Sequence, residues 1–483
     1  CYNIKQRNFS RGKGIQLNME EKKESSDLTH GPLAKQILFF SLPLMLSNVL
    51  QVLFNMSDIA VVGQFAGSKA LGAVGSTTII VMLFTGILIG MSNGVNVVVA
   101  RCLGTRNDKD TSDAIHTAFV ICLITGLCVM AFGLFGTRWL LELLGTKPDL
   151  IDGAELYLRI YSLGAPALGV YNFGNAVYSA AGDTRKPLAF LFISGILNVI
   201  LNIVLVVVFG RDVDGVAIAS IISQYTSATL VTISLMRTSS AHRFDIRKIR
   251  VVLRFAKQIV ALGLPSSFQN SIFAVANLFI QAGVNSFDSV VVEGNSAAAN
   301  ADNLVYDVMA AFYTACSSFM GQNLGAGKKK RVIKSYFISI AYSFGIALIL
   351  GVCLAFFGRE FLSLFTKDDA VIAEAMGRLK IMAFSYCVSA FMDSTIAASR
   401  GLGKSLVPTI IVISGSCVFR IIWIYTVFAY FHTLPSLYLL YVFSWAITAM
   451  AEIAYFAHTW KKMSSSLVDI DAPRGVPVAA ENT

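Results

Sequence analysis

The chain has 483 residues, of which 55% are hydrophobic and only 14% are charged. Soluble domains carry about 25% charged residues, so this composition excludes a soluble globule and indicates a polytopic membrane protein. The net charge of +10 does not indicate nucleic-acid binding, because the basic residues lie in short gaps between long apolar segments.

Twelve apolar segments follow one another, most of them at least as long as the ~20 residues that a helix needs to cross a bilayer. Alternating ten-residue strands, which are typical of an outer-membrane barrel, are missing from the pattern. We therefore predict an all-α polytopic membrane protein whose twelve transmembrane helices lie at 36–63, 70–100, 114–136, 155–181, 187–210, 215–236, 255–286, 290–320, 334–357, 375–400, 405–431 and 435–460.

The polar segments flank and divide this apolar chain. Residues 1–32 show no cleavable signal peptide, and Met19 before "EEKKE" leaves open whether residues 1–18 are native. The basic gap at 237–254 divides the segments six and six, which predicts an N-terminal lobe at 33–236 and a C-terminal lobe at 255–461, followed by a polar tail at 462–483.

The gaps alternate between basic and acidic composition along the chain. The basic set includes the 237–254 linker and "GKKKR" at 327–331, and the other set includes "GRDVDG" and "NSFDSVVVEGN". Positive loops stay inside, so the basic set and both termini are expected in the cytoplasm.

The two halves repeat each other at an offset of about 220 residues. "SLPLMLSNVL" (41–50) matches "GLPSSFQNSI" (263–272), "RCLGTR" (101–106) matches "QNLGAG" (322–327), and "SGILNVILNIV" (194–204) matches "SGSCVFRIIWI" (414–424). Each half has an even number of segments, so the repeats are parallel, and a substrate cavity is expected between them.

Segment 1 carries a polar stripe in "NVLQVLFNMSD". Asn48, Gln51, Asn55 and Asp58 are spaced three, four and three residues apart, so they share one helix face. An embedded charge costs about 2.5–3.5 kcal/mol on insertion scales, which makes Asp58 a functional candidate.

Several amides and hydroxyls accompany Asp58 in the first half: Asn172, Asn175, Asn198, Asn202 and Ser220. A carboxylate with amide and hydroxyl oxygens suits a small hard cation, and the same set could tune the pKa of a proton acceptor. Alternatively, the amides hold helices together by hydrogen bonds. No metal site other than Na⁺ at Asp58 is predicted.

The second half has its own embedded polar residues. Asn270, Asn277 and Gln281 share one face of segment 7, and the embedded charged residues are Asp302, Asp307, Asp393, Arg420 and Glu452. Asp393 and Arg420 are candidates for a buried ion pair. Glu452 is expected either to reach the interface near Lys461 and Lys462 or to be functional.

Motifs of soluble catalysis do not occur in the sequence. "GLGK" at 401–404 is not a P-loop, because Ala398 stands where the first glycine is required. The eight cysteines lie mostly in apolar segments without a CxxC pair, which favours small buried residues over disulfides or metal ligands. We predict no enzyme and no organic cofactor, and an ion gradient as the energy source.

The chain resembles the multidrug and toxic compound extrusion (MATE) transporters over residues 33–460. The resemblance is carried by "LPLMLSNVLQVLFNMSDIAVVGQFAG", by "GQNLGAG" at 321–327 and by "RGLGKS" at 400–405. It implies that Asp58 couples transport to H⁺ or Na⁺, with Asn172, Asn175, Asn198, Asn202 and Ser220 around it. Two departures are Asn202, where some members carry an acid, and Phe273, where sodium-coupled members carry a glutamate.

We therefore predict a secondary antiporter of the bacterial inner membrane that exports amphipathic or cationic drugs by alternating access. Its substrate cavity is expected to include Gln51, Asn55, Asn277, Gln281, Asp302, Asp393 and Arg420. The alternatives are a lipid or lipid-linked oligosaccharide flippase, a membrane enzyme and a channel. The flippase is disfavoured because Arg420 is the only clear embedded cation, and a monomer is expected because one chain carries both halves.

Overall fold

The computed structural model describes residues 27–466, so the segment 1–18 and most of the predicted tail at 462–483 lie outside the described residues. Within this range the chain forms helices and no β-strand. The twelve spans, labelled α1 to α12 in order, are Leu33–Val61, Gly67–Gly104, Asp108–Phe135, Pro148–Ser162 continued by Ala165–Ala180, Arg185–Asn202, Val213–Arg237, Leu253–Val284, Ser289–Gly325, Lys329–Leu362, Asp369–Gly401, Leu406–Phe431 and Leu434–Ser466.

Ten of the helices in the described range are long and apolar enough to cross a membrane. The other two spans are α4, which is broken at Leu163 and Gly164, and α8, which carries Glu293, Asp302 and Asp307. Much of α8 is buried against other helices, so its polar residues need not face lipid. The prediction of twelve spans is confirmed.

Wide π-helical turns lie within or at the end of three of the described spans. Val62–Ala66 extends α1, Ile203–Val208 extends α5, and α11 contains Ile413–Val418 and Ile424–Phe428. The turn after α1 ends at Gly67, whose φ of 87° and ψ of 172° are open in practice to glycine alone. The turns of α5 and α11 that end at Val208 and Phe428 are equivalent in the repeat.

The first helix of each half has a proline inside it. Pro43 lies in α1 and Pro265 in α7, at equivalent positions of the repeat. A proline removes one helical hydrogen bond, which membrane helices tolerate when neighbouring groups satisfy the freed carbonyl.

The two halves pack together on the side of the bundle that carries residues 238–252, here called the linker side. Small residues allow the helices to approach closely there. A Cβ added to Gly90 of α2 would lie 2.3 Å from the backbone nitrogen of Ser267, and one added to Gly104 would lie 2.0 Å from the carbonyl oxygen of Gln322.

Hydrogen bonds join the halves at the same level. Asn48 Nδ2 donates to the carbonyl oxygen of Asp307 at 2.7 Å, and Asn270 Nδ2 donates to that of Gly86 at 3.1 Å. Nearer the C-terminal ends of α2 and α8, Ser318 Oγ donates to Asn96 Oδ1 at 3.0 Å.

Away from the linker side, the halves separate. The buried clusters there belong to one half each: Val62 and Leu141 pack within the first half, and Val284 and Leu437 within the second. Three side chains are exposed there: Gln51 and Asn55 of α1 and Asn277 of α7. They share helix faces with Asn48 and Asn270, which bridge the halves nearer the linker side. These side chains therefore face a gap between the halves.

A short strap before α1 seals the linker side. Leu28 is buried in a cluster with Phe319, and its backbone is bonded to Gln322 and Asn323 of α8 at 3.1 and 3.2 Å. Asp27 pairs with Arg106 of the first half at 3.1 Å. Burial raises the pKa of Asp27, but hydrogen bonds from Thr29 and the neighbouring His30 outweigh it and lower the pKa to about 2.

Candidate cation and substrate sites

Asp58 lies one turn before the π-helical end of α1, and its side chain is half-buried against α5. The two helices approach closely because Gly195 of α5 leaves room for the ring of Phe54. A Cβ at Gly195 would lie only 1.9 Å from that ring. The contact places α5 within reach of the carboxylate one turn further along α1.

Asn202 is the direct partner of Asp58. Its amide Nδ2 donates to Asp58 Oδ1 and lies 3.3 Å from Asn198 Oδ1, which is one turn earlier on α5. Asn202 is completely buried, and its Oδ1 has no hydrogen-bond partner within the described residues. Asp58, Asn198 and Asn202 thus lie together in one hydrogen-bonded group, and their binding of a cation stays a prediction.

The other predicted residues are less directly connected. Asn172 Nδ2 donates to the carbonyl of Leu168 in its own helix at 2.9 Å. Asn175 Oδ1 is buried without a hydrogen-bond partner in the described part of the chain, and Ser220 is buried on α6. No direct hydrogen bond between described side chains joins these three residues to Asp58, so their part in a cation site stays a prediction.

Two tyrosines of α4 were not anticipated. Tyr157 and Tyr161 stack at 5.9 Å between ring centroids, and both lie in the neighbourhood of Asp58. Tyr161 also lies beside Thr85 of α2 and Gln224 of α6. The only signal in the sequence is their spacing of four residues, which places both rings on one face.

The carboxylate and amides of this group can bind a small cation or a proton. Within residues 27–466 no cluster of three His, Cys, Asp or Glu side chains could hold a metal ion. A cation at Asp58 would therefore meet one carboxylate and neutral oxygens, including the unpartnered Oδ1 of Asn202. Such a set suits a monovalent ion or a proton better than a tightly held divalent metal.

Asp302 of α8 is held by an ion pair that the sequence analysis missed. Arg378 of α10 donates to Asp302 Oδ2 and to Asn295 Oδ1, and Tyr386 donates to Asp302 Oδ1. The side chain of Arg378 is only 6% exposed. The statement that Arg420 is the only clear embedded cation was therefore wrong, because Arg378 is also buried within the bundle.

Gln281 extends this network toward the gap. Asn295 Nδ2 lies 3.5 Å from Gln281 Oε1, and Gln281 Nε2 donates to Asn285 Oδ1 at 2.9 Å. Two predicted cavity residues, Gln281 and Asp302, are thereby connected through Arg378 and Asn295. Substrate contact by these residues remains a prediction.

The expected ion pair of Asp393 and Arg420 is not formed among the described residues. Arg420 Nε donates to Ser444 Oγ at 3.2 Å, and its guanidinium lies over Tyr441 at 4.7 Å. Phe273 and Trp445 lie 5.7 and 5.9 Å from it. Aromatic faces can stabilise a buried guanidinium, which explains why Arg420 does not require the carboxylate.

Glu452 does not reach the membrane interface. It is completely buried in α12, and neither carboxylate oxygen has a hydrogen-bond partner in the part of the chain that the structure describes. Arg400 and Asp393 lie in its neighbourhood. The interpretation of Glu452 as an interfacial residue was therefore wrong.

Comparison with known sequences identifies the family. The MatE family profile matches residues 43–204 and again residues 265–426, which are the two halves of the repeat. The chain belongs to the MATE family of multidrug transporters.

Relatives of this MATE protein include the probable multidrug resistance protein YpnP of Bacillus subtilis, which is 32% identical over 74% of this chain and 80% of the relative. The FAD transporter of Shewanella oneidensis is 26% identical over 72% of this chain and 78% of its own.

A solved structure of a MOP superfamily transporter from Pyrococcus furiosus superposes with a TM-score of 0.85 and 21% identity, covering 91% of this chain and 98% of the other. That likeness shows a shared twelve-helix fold.

Proposed function

We propose that this MATE protein exports amphipathic or cationic organic compounds in exchange for H⁺ or Na⁺ across the bacterial cytoplasmic membrane. The observation that carries the proposal is the bond between Asp58 and Asn202 at the edge of the gap between the halves. A half-buried carboxylate held by a neutral amide is the group in the first half best suited to exchange a cation with water.

The orientation follows from the basic loops. If the linker side faces the cytoplasm, both ends of residues 27–466 lie inside, and the gap opens outward. In this state Asp58 would load its cation from outside. A gradient of about 100 mV supplies about 2.3 kcal/mol per charge moved, so the cycle requires no organic cofactor and no catalytic step.

The proposed cycle uses the loss of charge at Asp58. Binding of a cation weakens the charge-assisted bond from Asn202 and frees α1 to repack against α5. Repacking narrows the part of the gap that the first half of the chain lines, and it displaces the exported compound toward the outside. One chain contains both halves, so the transporting unit is proposed to be a monomer.

The test is counterflow of a fluorescent cationic dye in proteoliposomes, under proton and sodium gradients imposed separately. Asp58→Asn is expected to abolish gradient-driven transport, and Asp58→Glu, which keeps the charge, to retain part of it. Wild-type transport by a normally folded Asp58→Asn variant would overturn the coupling role. The gradient that drives wild-type transport identifies the ion.

A flippase remains the less favoured function. Arg378 is occupied by Asp302, and Arg420 is covered by aromatic rings, so neither cation is free to receive a lipid phosphate in this state.

A further inference from the structure

A cavity of about 520 Å³ lies on the linker side, outside the gap between the halves. One wall is the first turn and a half of α3, with Lys109 and Asp113. The other wall is the linker from Arg247 to Arg250. None of the residues proposed for transport lines this cavity.

The linker is fastened to α3, so the cavity is a built feature. Arg250 Nε donates to Asp113 Oδ1 at 2.7 Å, and the backbone nitrogen of Val252 donates to Thr117 Oγ1 at 3.0 Å. His116 Nε2 accepts from the backbone nitrogen of Asp245 at 3.1 Å. These three contacts fix both ends of the wall.

The charge of the cavity is positive. Four cations line it, Lys109, Arg247, Lys248 and Arg250, against the two carboxylates of Asp108 and Asp113. Arg250 neutralises Asp113. Lys109, Arg247 and Lys248 form no ion pair with any residue of the described range, so they are available to an anion.

Apolar side chains alternate with these cations along the linker. Ile246, Val251 and Leu253 are all more than half exposed, and Leu253 is 66% exposed at the start of α7. A site for a soluble anion would not require them. Exposed apolar residues interleaved with cations at the end of a membrane helix are typical of a segment that contacts lipid.

We propose that this cavity binds the phosphate headgroup of an anionic phospholipid from the leaflet on the linker side. Lys109, Arg247 and Lys248 would contact the phosphate, and the acyl chains would lie along Ile246, Val251 and Leu253. The bound lipid would join α3 to the linker that connects the two halves. The proposal does not depend on which compound or ion is transported.

The experiment is native mass spectrometry of the full chain released from micelles that contain equal amounts of phosphatidylglycerol and phosphatidylcholine. A basic residue near an anionic membrane contributes about 1 kcal/mol of binding free energy. Each cation should therefore raise the retention of the anionic lipid about fivefold. The variant K109Q/R247Q/K248Q is therefore expected to lose the wild-type preference for phosphatidylglycerol by at least tenfold.

The matched control is R237Q/R243Q/K257Q, which removes three exposed cations of the same region that do not line the cavity. It is expected to retain the preference within about twofold. Equal loss in both variants would show non-specific attraction and overturn the site, and so would a cavity variant that behaves as wild type.

Two further arms separate a lipid from a soluble anion. Val251→Gln is expected to weaken lipid retention, whereas excess inorganic phosphate is expected to leave it unchanged. Displacement of the lipid by phosphate, with no effect of Val251→Gln, would overturn the lipid proposal. Gel filtration checks that each variant folds. If the triple variant does not fold, Lys109→Gln or Lys248→Gln alone replaces it, and each is expected to lower the preference for phosphatidylglycerol about fivefold.

Discussion

Asn48 of α1 and Asn270 of α7 make the same hydrogen bond from opposite halves of the molecule. Each donates its side-chain amide to a backbone carbonyl of the other half, Asn48 to Asp307 and Asn270 to Gly86. The donors are equivalent in the repeat, and so are the two acceptors. The lower end of the polar stripe therefore belongs to the interface that both halves share, whereas Asp58 at its upper end has no counterpart.

Loss of either amide should loosen the linker side. Asn48→Ala and Asn270→Ala are each expected to cost the closed interface about 1 kcal/mol, which is about fivefold in the population open on that side. Distances between spin labels at Thr238 and Lys404, in a variant without native cysteines, would measure this population. Asn300→Ala is the control, because Asn300 bonds to Ser296 in its own helix. Unequal effects of the two substitutions would contradict the symmetric role.

A methyl group at the close crossing of α2 and α7 should prevent closure. Gly90→Ala would place a Cβ 2.3 Å from the Ser267 backbone, so the halves must move apart. We expect loss of counterflow and a shift of the same label distance to longer values. Gly75→Ala, on the same helix with nothing within 4 Å of the added Cβ, is expected to match wild type. A fully active Gly90→Ala variant would show that the crossing is not required in the cycle.

The ion pair of Arg378 and Asp302 should be needed for stability of the second half. Arg378→Gln leaves a buried carboxylate with Tyr386 alone, which is expected to cost about 3–5 kcal/mol and to lower the thermal midpoint in detergent. Arg378→Gln with Asp302→Asn should recover part of the loss. Lys380→Gln, an exposed cation two residues away, is the control. If the double variant were no more stable than the single one, the unpaired charge would not be the cause.

His242 should make the stability of the folded chain sensitive to acid. Burial, together with the charge of Lys186, lowers its pKa to about 4, although Asp183 acts in the opposite direction. The unfolded chain binds a proton near pH 6.5 and the folded chain does not, so stability is complete above pH 6.5 and falls by about 3 kcal/mol down to pH 4.

The measurement for His242 is thermal unfolding in detergent across this pH range. His242→Leu, which cannot titrate, is expected to show a smaller loss of stability between pH 6.5 and 4 than wild type. His242 packs edge-on against Tyr178, and an apolar side chain can keep that contact. Parallel pH profiles of the two proteins would contradict the assignment.

Much of this molecule could be predicted from the sequence, because membrane helices depend on length and hydrophobicity, and the repeat is visible in aligned prolines and asparagines. Helical spacing placed Asn198 and Asn202 on one face, and the family resemblance placed them around Asp58. The pairing of Arg378 with Asp302 was not predicted, since the two residues are 76 positions apart and no local pattern joins them. The aromatic environment of Arg420 was missed for the same reason, as it depends on the packing of α7 and α12.

The π-helical turns beyond Asp58 and Asn202 have a mechanical consequence. Each turn holds one residue more than an α-helical turn. If its backbone hydrogen bonds returned to the α-helical i to i+4 pattern, the extra residue would move into the next turn of the helix. Such a shift rotates the chain beyond it by about 100° without unfolding, because one residue is 1/3.6 of a turn. The outer ends of α1 and α5 can therefore rotate about their own axes next to the carboxylate, while Asn48 keeps the linker-side part of α1 bonded to the second half.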